Sequence, residues 1–157
     1  MKTLDIEIAV MKEFNPRVNL IVPNISFGLG LHECDLLILT RAGYATEIEI
    51  KVSRKDLIQD KKKPHSHYSQ KIGKLYFAIP EELMSCIDHI PSRAGIIKIV
   101  TENGKNYCRF VRNAEQVNKY KFSDKEKLKM AHLGAMRILT LKKVIKRREN
   151  QIGGING

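Results

Sequence analysis

A chain of 157 residues, 43% hydrophobic and 29% charged, has the length for one domain with a single sizeable core, and no apolar run nears the roughly 20 residues of a membrane span. The three cysteines, Cys34, Cys86 and Cys108, are odd in number and include no CxxC pair, which argues against a disulfide framework or zinc knuckle and for a reducing interior. The net charge of +11 is unevenly spread: residues 51–77 carry eight Lys/Arg against two acids, residues 119–149 eleven against three, and the remainder is net −3. Basic segments around a local acidic cluster suit a polyanion on the surface and a cation in the cluster.

In chain order, the acids of "MKTLDIEIAVMKEF" interrupt its apolar stretch, so it does not read as a secretory signal. Leu4, Ile8 and Met11 instead give a short amphipathic helix over 2–14. "NPR" breaks it, and 18–26 reads as a strand that Pro23 confines to an edge or bends. A glycine-containing loop, 27–31, precedes a strand at 32–40. "RAG" then turns into a strand at 44–53. Residues 54–63 are helical in propensity and strongly basic, 64–70 a loop, and 74–80 a continuous apolar strand of the buried kind. Two acids after Pro80 start a helix over 81–90. A strand at 94–101 meets another at 106–112 through an Asn-Gly turn. Ser123 and Glu126 form a capping box for a helix to residue 150, marked by Leu128, Ala131, Ala135, Ile138 and Leu139 at steps of three or four. The expected organisation is one domain over 1–150 with a flexible tail at 151–157, of α/β (α+β) class. Its element order is αβββαβ followed by αββα, around a central mixed sheet flanked by helices.

The chemistry concentrates in "TEIEIKVS". Period two puts Glu47, Glu49 and Lys51 on one face of a strand and Ile48, Ile50 and Val52 on the other. Asp35 opens the preceding strand, and hairpin neighbours lie about 4.8 Å apart, so Asp35 can face Glu49. Two such carboxylates repel unless a cation sits between them. A hard divalent ion takes oxygen ligands and retains waters, one of which can act as nucleophile. Lys51 adds a positive charge on the same face, suited to negative charge developing on a phosphate. The bland alternative is a solvated strand with cross-strand ion pairs.

An acid, then (D/E)-x-K in the next strand, a basic helix and a short apolar strand resemble the PD-(D/E)xK nuclease superfamily. The stretches "HECDLLIL", "TEIEIKVSRKDL" and "KLYFAIPEEL" carry the likeness over roughly residues 30–83, with Cys34 where the family commonly has proline. The resemblance implies a restriction-endonuclease-like core and a metal-dependent deoxyribonuclease. Asp35 and Glu49 would be metal ligands, the Ile50 carbonyl a further ligand, Lys51 the catalytic lysine and Mg²⁺ or Mn²⁺ the cofactor. DNA is then the partner, in repair, recombination, restriction or phage DNA metabolism, within the cytoplasm of a prokaryotic or phage-encoded setting. A non-catalytic DNA-binding module with the same fold is the alternative. A homodimer, or a partner protein supplying specificity, stays open.

Other residues are weighed beside these. Glu33 and Glu47 share the face of the acids and are additional candidates, Glu47 also as a partner for Lys51. Glu7 on the first helix is within reach of such a site but reads as a surface charge. Lys55, Lys61, Lys62 and Lys63 are candidates for phosphate contact, since such contacts supply most sequence-independent affinity. His65 and His67 lack further ligands nearby for zinc; they read as solvent-facing, with His67 a candidate nucleic-acid contact. Ser53 reads as a helix N-cap, Tyr76 and Phe77 as core. Gly28-Leu29-Gly30 lacks a nucleotide-binding pattern.

Overall fold

The computed structural model describes residues 1–25, 28–61 and 67–153. Its elements are α1 (Thr3–Glu13), β1 (Leu20–Ile25), β2 (Cys34–Leu39), β3 (Ala45–Ile50), α2 (Arg54–Asp60), β4 (Lys74–Pro80), a 3₁₀ segment (Glu81–His89), β5 (Gly95–Glu102), β6 (Lys105–Arg112) and α3 (Asp124–Gly153). The six strands lie in one sheet in sequence order. Pairing is antiparallel except for β3–β4 and β4–β5. Those two parallel pairs are the ones whose connections, α2 and the 3₁₀ segment, are long enough to cross back over the sheet. The mixed α+β sheet flanked by helices is the expected architecture. Among the described residues no helix is long and apolar enough to cross a membrane.

Several local features follow from the sequence directly. β1 is an edge strand, one of the two outcomes expected from Pro23. Asn103 and Gly104 have φ of 51° and 72°, the left-handed pair of a two-residue hairpin turn between β5 and β6. Ser123 and Glu126 cap α3 reciprocally, with Ser123 N–H donating to Glu126 Oε2 at 2.9 Å and Glu126 N–H to Ser123 Oγ at 3.3 Å.

Three elements depart from expectation. Residues 81–89 form a 3₁₀ rather than an α-helix. The half-buried apolar residues there are Leu83, Met84, Cys86 and Ile87, paired at steps of three, and a threefold helix aligns such pairs on one side. α2 ends at Asp60, three residues short of its expected limit. α3 continues through residues 151–153 of the expected tail; residues 154–157 lie outside the described part. The periodic residues that signalled α3 also face away from the sheet, with Leu128 73% exposed and Ile138 58%. The docked side is Met130, Leu133 and Gly134 against β1.

The sheet buries both faces. On one, Leu36, Ile38, Ile48, Ile50, Tyr76, Ala78, Ile97 and Ile99 pack under Ile6, Ala9 and Val10 of α1. The opposite face carries two clusters. Val22, Leu37, Leu39 and Ala45 pack with Met130 and Phe122, while Leu75, Phe77 and Ile79 pack with Leu57 of α2 and the 3₁₀ segment. Glu47 lies between them, opposite Leu37 on one side and Leu75 on the other.

Close packing makes Gly95 sensitive to size. A Cβ there meets the Tyr76 ring and comes within 2.7 Å of the Ala114 backbone nitrogen. Gly95→Ala is expected to cost about 2 kcal/mol or more through overpacking. Gly104→Ala, with nothing within 4 Å but φ at +72°, is expected to cost about 1 kcal/mol through backbone strain alone. Urea midpoints at unchanged m-value measure both.

Candidate active site

The antiparallel β2–β3 ladder pairs Leu36 with Ile48 and Leu37 with Glu47, and Asp35 and Glu49 are the next positions beyond its Leu36 end. The Ile50 N–H donates to Asp35 Oδ2 at 2.7 Å, fixing the Asp35 side chain at the end of β3. Glu49 is 1% exposed. Burial and the charge of Asp35 raise its pKa, against the lowering influence of Lys51 and His67. The charge of Asp35 is thus felt at Glu49.

Lys51 lies just past the end of β3, where its N–H donates to Ala78 O of β4 at 3.1 Å. Its Nζ is 2.7 Å from Glu49 Oε2 and 2.8 Å from Asp60 Oδ1. Burial works against the ammonium, but Glu49 and Asp60 outweigh it and drive its pKa well above the usual lysine range. Asp60 comes from the last turn of α2, one turn after the buried Leu57, on the side of the helix turned to the sheet. Ser53 caps that helix, accepting from Asp56 N–H at 3.2 Å.

Glu47 is fully buried, and its Oε1 lies 2.8 Å from His32 Nε2 and 3.0 Å from His67 Nδ1. Burial raises the Glu47 pKa, but the hydrogen bonds from His32 and His67 bring it below the ordinary value. The other ring nitrogen of His67, Nε2, is 2.5 Å from Asp60 Oδ2. With a carboxylate at each nitrogen His67 donates twice and is an imidazolium. Burial lowers its pKa, Asp60 and Glu47 raise it, and the result is about 9.

A cleft of about 340 Å³ opens over this cluster, lined by Thr3, Asp35, Ile50, Lys51, Asp56, Gln59 and Asp60. Glu7 of α1 is near enough that burial and Asp35 both raise its pKa, so the helix acid read as a surface charge belongs to the field of the site.

The structure thus brings Asp35, Glu49, Lys51 and the Ile50 backbone together. Glu47 joins them, with histidines rather than Lys51 as its partners. Glu33 is exposed and makes no ion pair among the described residues. Lys55 and Lys61 are exposed, Lys61 donating to Asp88 O at 3.2 Å; Lys62 and Lys63 lie outside the described residues. His67 is corrected. At 2% exposure it is a buried member of the acidic cluster and not a nucleic-acid contact, because the carboxylates around it reward burial of a cation. Asp60 and His32 were missed. Asp60 was signalled by its one-turn spacing from Leu57; His32 had no local signal.

In chelator-treated protein His67 holds its proton more tightly folded, at about 9, than in its ordinary state at 6.5. Its contribution to stability is therefore complete below about pH 6.5 and is lost as the pH rises toward 9, by up to about 3 kcal/mol. Urea unfolding between pH 6 and 9.5 is expected to show this decline, and His67→Gln to flatten it.

No family model matches the chain, and no curated protein does. Among solved structures the chain is similar to SPO1766, a protein of unknown function from Silicibacter pomeroyi. The TM-score is 0.64 at 17% identity, covering 95% of this chain and 94% of that one. The likeness is one of fold.

Proposed function

We propose that this chain is a Mg²⁺- or Mn²⁺-dependent nuclease of the PD-(D/E)xK type with a restriction-endonuclease-like core, hydrolysing DNA phosphodiester bonds in repair, recombination, restriction or phage DNA metabolism. One observation carries the reading. Asp35 and Glu49 come from adjacent strands, the charge of Asp35 is felt at Glu49, and Lys51 is held on Glu49 at a cleft that Asp35 also lines. The donor set fits a hard cation. Asp35, Glu47, Glu49 and Asp60 are balanced by the ammonium of Lys51 and the imidazolium of His67, so negative charge remains for a divalent ion. Burial and the charge of Asp35 together raise the Glu49 pKa, and a bound cation would offset both.

Asp35, Glu49 and the Ile50 carbonyl would hold the ion, which would supply positive charge to the scissile phosphate and an acidified water. Lys51 cannot serve as a base, because two carboxylates keep it protonated. It acts as a fixed positive charge that stabilises the phosphate as negative charge develops. Glu49 and Asp60 set its position before substrate arrives. Arg54 and Lys55, exposed on the helix whose Asp56 and Gln59 line the cleft, draw the nucleic-acid backbone toward it.

A second reading, a non-catalytic DNA-binding module of the same fold, rests on the Glu49 carboxylate being closed on Lys51 and absent from the cleft lining. Mn²⁺ calorimetry separates the two: heat of binding that disappears in Asp35→Asn supports the nuclease, and salt-sensitive DNA binding without Mn²⁺ heat supports the module.

Asp35→Asn keeps the shape of the half-buried side chain and is expected to lower cleavage of DNA in Mg²⁺ or Mn²⁺ by at least about a hundredfold, with an unchanged circular dichroism spectrum. Undiminished cutting by this variant sinks the assignment. Replacing Arg54 and Lys55 together by Ala is expected to flatten the plot of log binding constant against log salt by up to about 1.8, near 0.9 per lost phosphate contact.

A further inference from the structure

Phosphodiester hydrolysis at the Asp35 cleft leaves the buried His67 and the half-buried His32 without a chemical task. His32 precedes β2, Glu47 is in β3 and His67 follows α2, yet one donor atom from each lies within 4.8 Å of the others. We propose that His32, Glu47 and His67 form a binding site for a transition-metal ion of the Zn²⁺ class, separate from the oxygen-ligated site at Asp35 and Glu49.

The donor chemistry selects the ion. Two imidazole nitrogens and one carboxylate suit Zn²⁺ or Co²⁺, whereas Mg²⁺ takes an all-oxygen shell. Metal–ligand bonds of 2.0–2.1 Å in a tetrahedron place ligand atoms about 3.3 Å apart. Glu47 Oε1 is 2.8 Å from His32 Nε2 and 3.0 Å from His67 Nδ1, so each of these two separations needs to spread by only a few tenths of an ångström, and all three donor atoms lie within 4.8 Å of one another. The ion replaces the protons that now bridge these atoms.

Two further observations point the same way. Asp60 Oδ2 accepts from His67 Nε2 at 2.5 Å, and a carboxylate behind a histidine is the arrangement that fixes which ring nitrogen a metal receives. Here that nitrogen is Nδ1, the one turned to Glu47. Glu47 Oε2 is buried and receives no hydrogen bond among the described residues, an acceptor that a cation on this carboxylate satisfies. A cleft of about 350 Å³, lined by Gly30, His32, Tyr68, Ser69, Gln70 and Lys71, gives an approach from the His32 side. It shares no lining residue with the cleft at Asp35. The sequence around His67 offers no further zinc ligands; the sheet supplies them from 20 and 35 positions away.

The test is titration of chelator-stripped full-length protein with Co²⁺, free of DNA. The expected result is visible absorption of tetrahedral strength that saturates at one equivalent, is bleached by Zn²⁺, and is matched by a Zn²⁺-dependent rise in melting temperature. His32→Gln, at the rim of the site, is expected to abolish the spectrum while the metal-free melting temperature shows the variant folded. Glu47→Gln is expected to do the same. Asp35→Asn is expected to leave the spectrum intact. Absence of the spectrum, its survival in folded His32→Gln, or its loss in Asp35→Asn overturns the site. Because nothing is cut in this assay, a failure of the nuclease reading and a failure of this one are seen separately.

Discussion

Two glutamates in the interior of a six-stranded sheet, Glu47 and Glu49, 0% and 1% exposed, set the terms for the site around them. An ionised carboxylate stripped of water is tolerated only with charge-bearing donors against it. Removing one partner from such a buried pair typically costs about 3–5 kcal/mol. Glu49 is met by Lys51 and Glu47 by His32 and His67, and Asp60 then holds both Lys51 and His67. Each ion pair brings in a group that needs a further partner. The cluster closes on itself through Asp60.

The parallel step from β3 to β4 supplies those partners. A connection between adjacent parallel strands must cross a face of the sheet, and this one carries α2 over the face holding Glu47 and Glu49, where Leu57 packs with Leu75 and Phe77. Asp60 is delivered by the end of that helix and His67 by the chain returning from it. Lys51, at the carboxyl end of β3, lies where sites in sheets with parallel strands commonly form. An antiparallel hairpin at this step would have left the glutamates uncovered.

What could be read beforehand divides along the same line. Strand period two, the Asn103-Gly104 turn, the Ser123–Glu126 box and Pro23 at an edge are local rules, and each describes its element correctly. Asp35, Glu49 and Lys51 were legible because they obey period two on neighbouring strands joined by a short turn. His32 and His67 were not, since neither has a local partner and their burial is decided by the register of β3 with the strands on either side. A histidine in a basic stretch reads as exposed until the carboxylates that surround it are known. α3 misleads for a related reason. Its most regular apolar spacing, through Leu128, Ala131 and Ile138, lies on the exposed side, and Gly134, which lets the helix approach Val22, carries no hydrophobic signal at all.

The double hold on Lys51 has a consequence for how a cation and a lysine can share Glu49. Glu49 Oε2 is the oxygen bonded to Lys51, while Oε1 lies 3.7 Å from His67 Nδ1, beyond hydrogen-bond reach of that nitrogen. A lysine anchored by Glu49 alone would lose its position whenever a divalent ion drew that carboxylate toward Asp35. Asp60 would remove that conflict, because it grips the ammonium at 2.8 Å from α2, an element apart from both strands. A second acid on the ammonium would thus keep the positive charge in place whether or not a cation occupied the oxygen site.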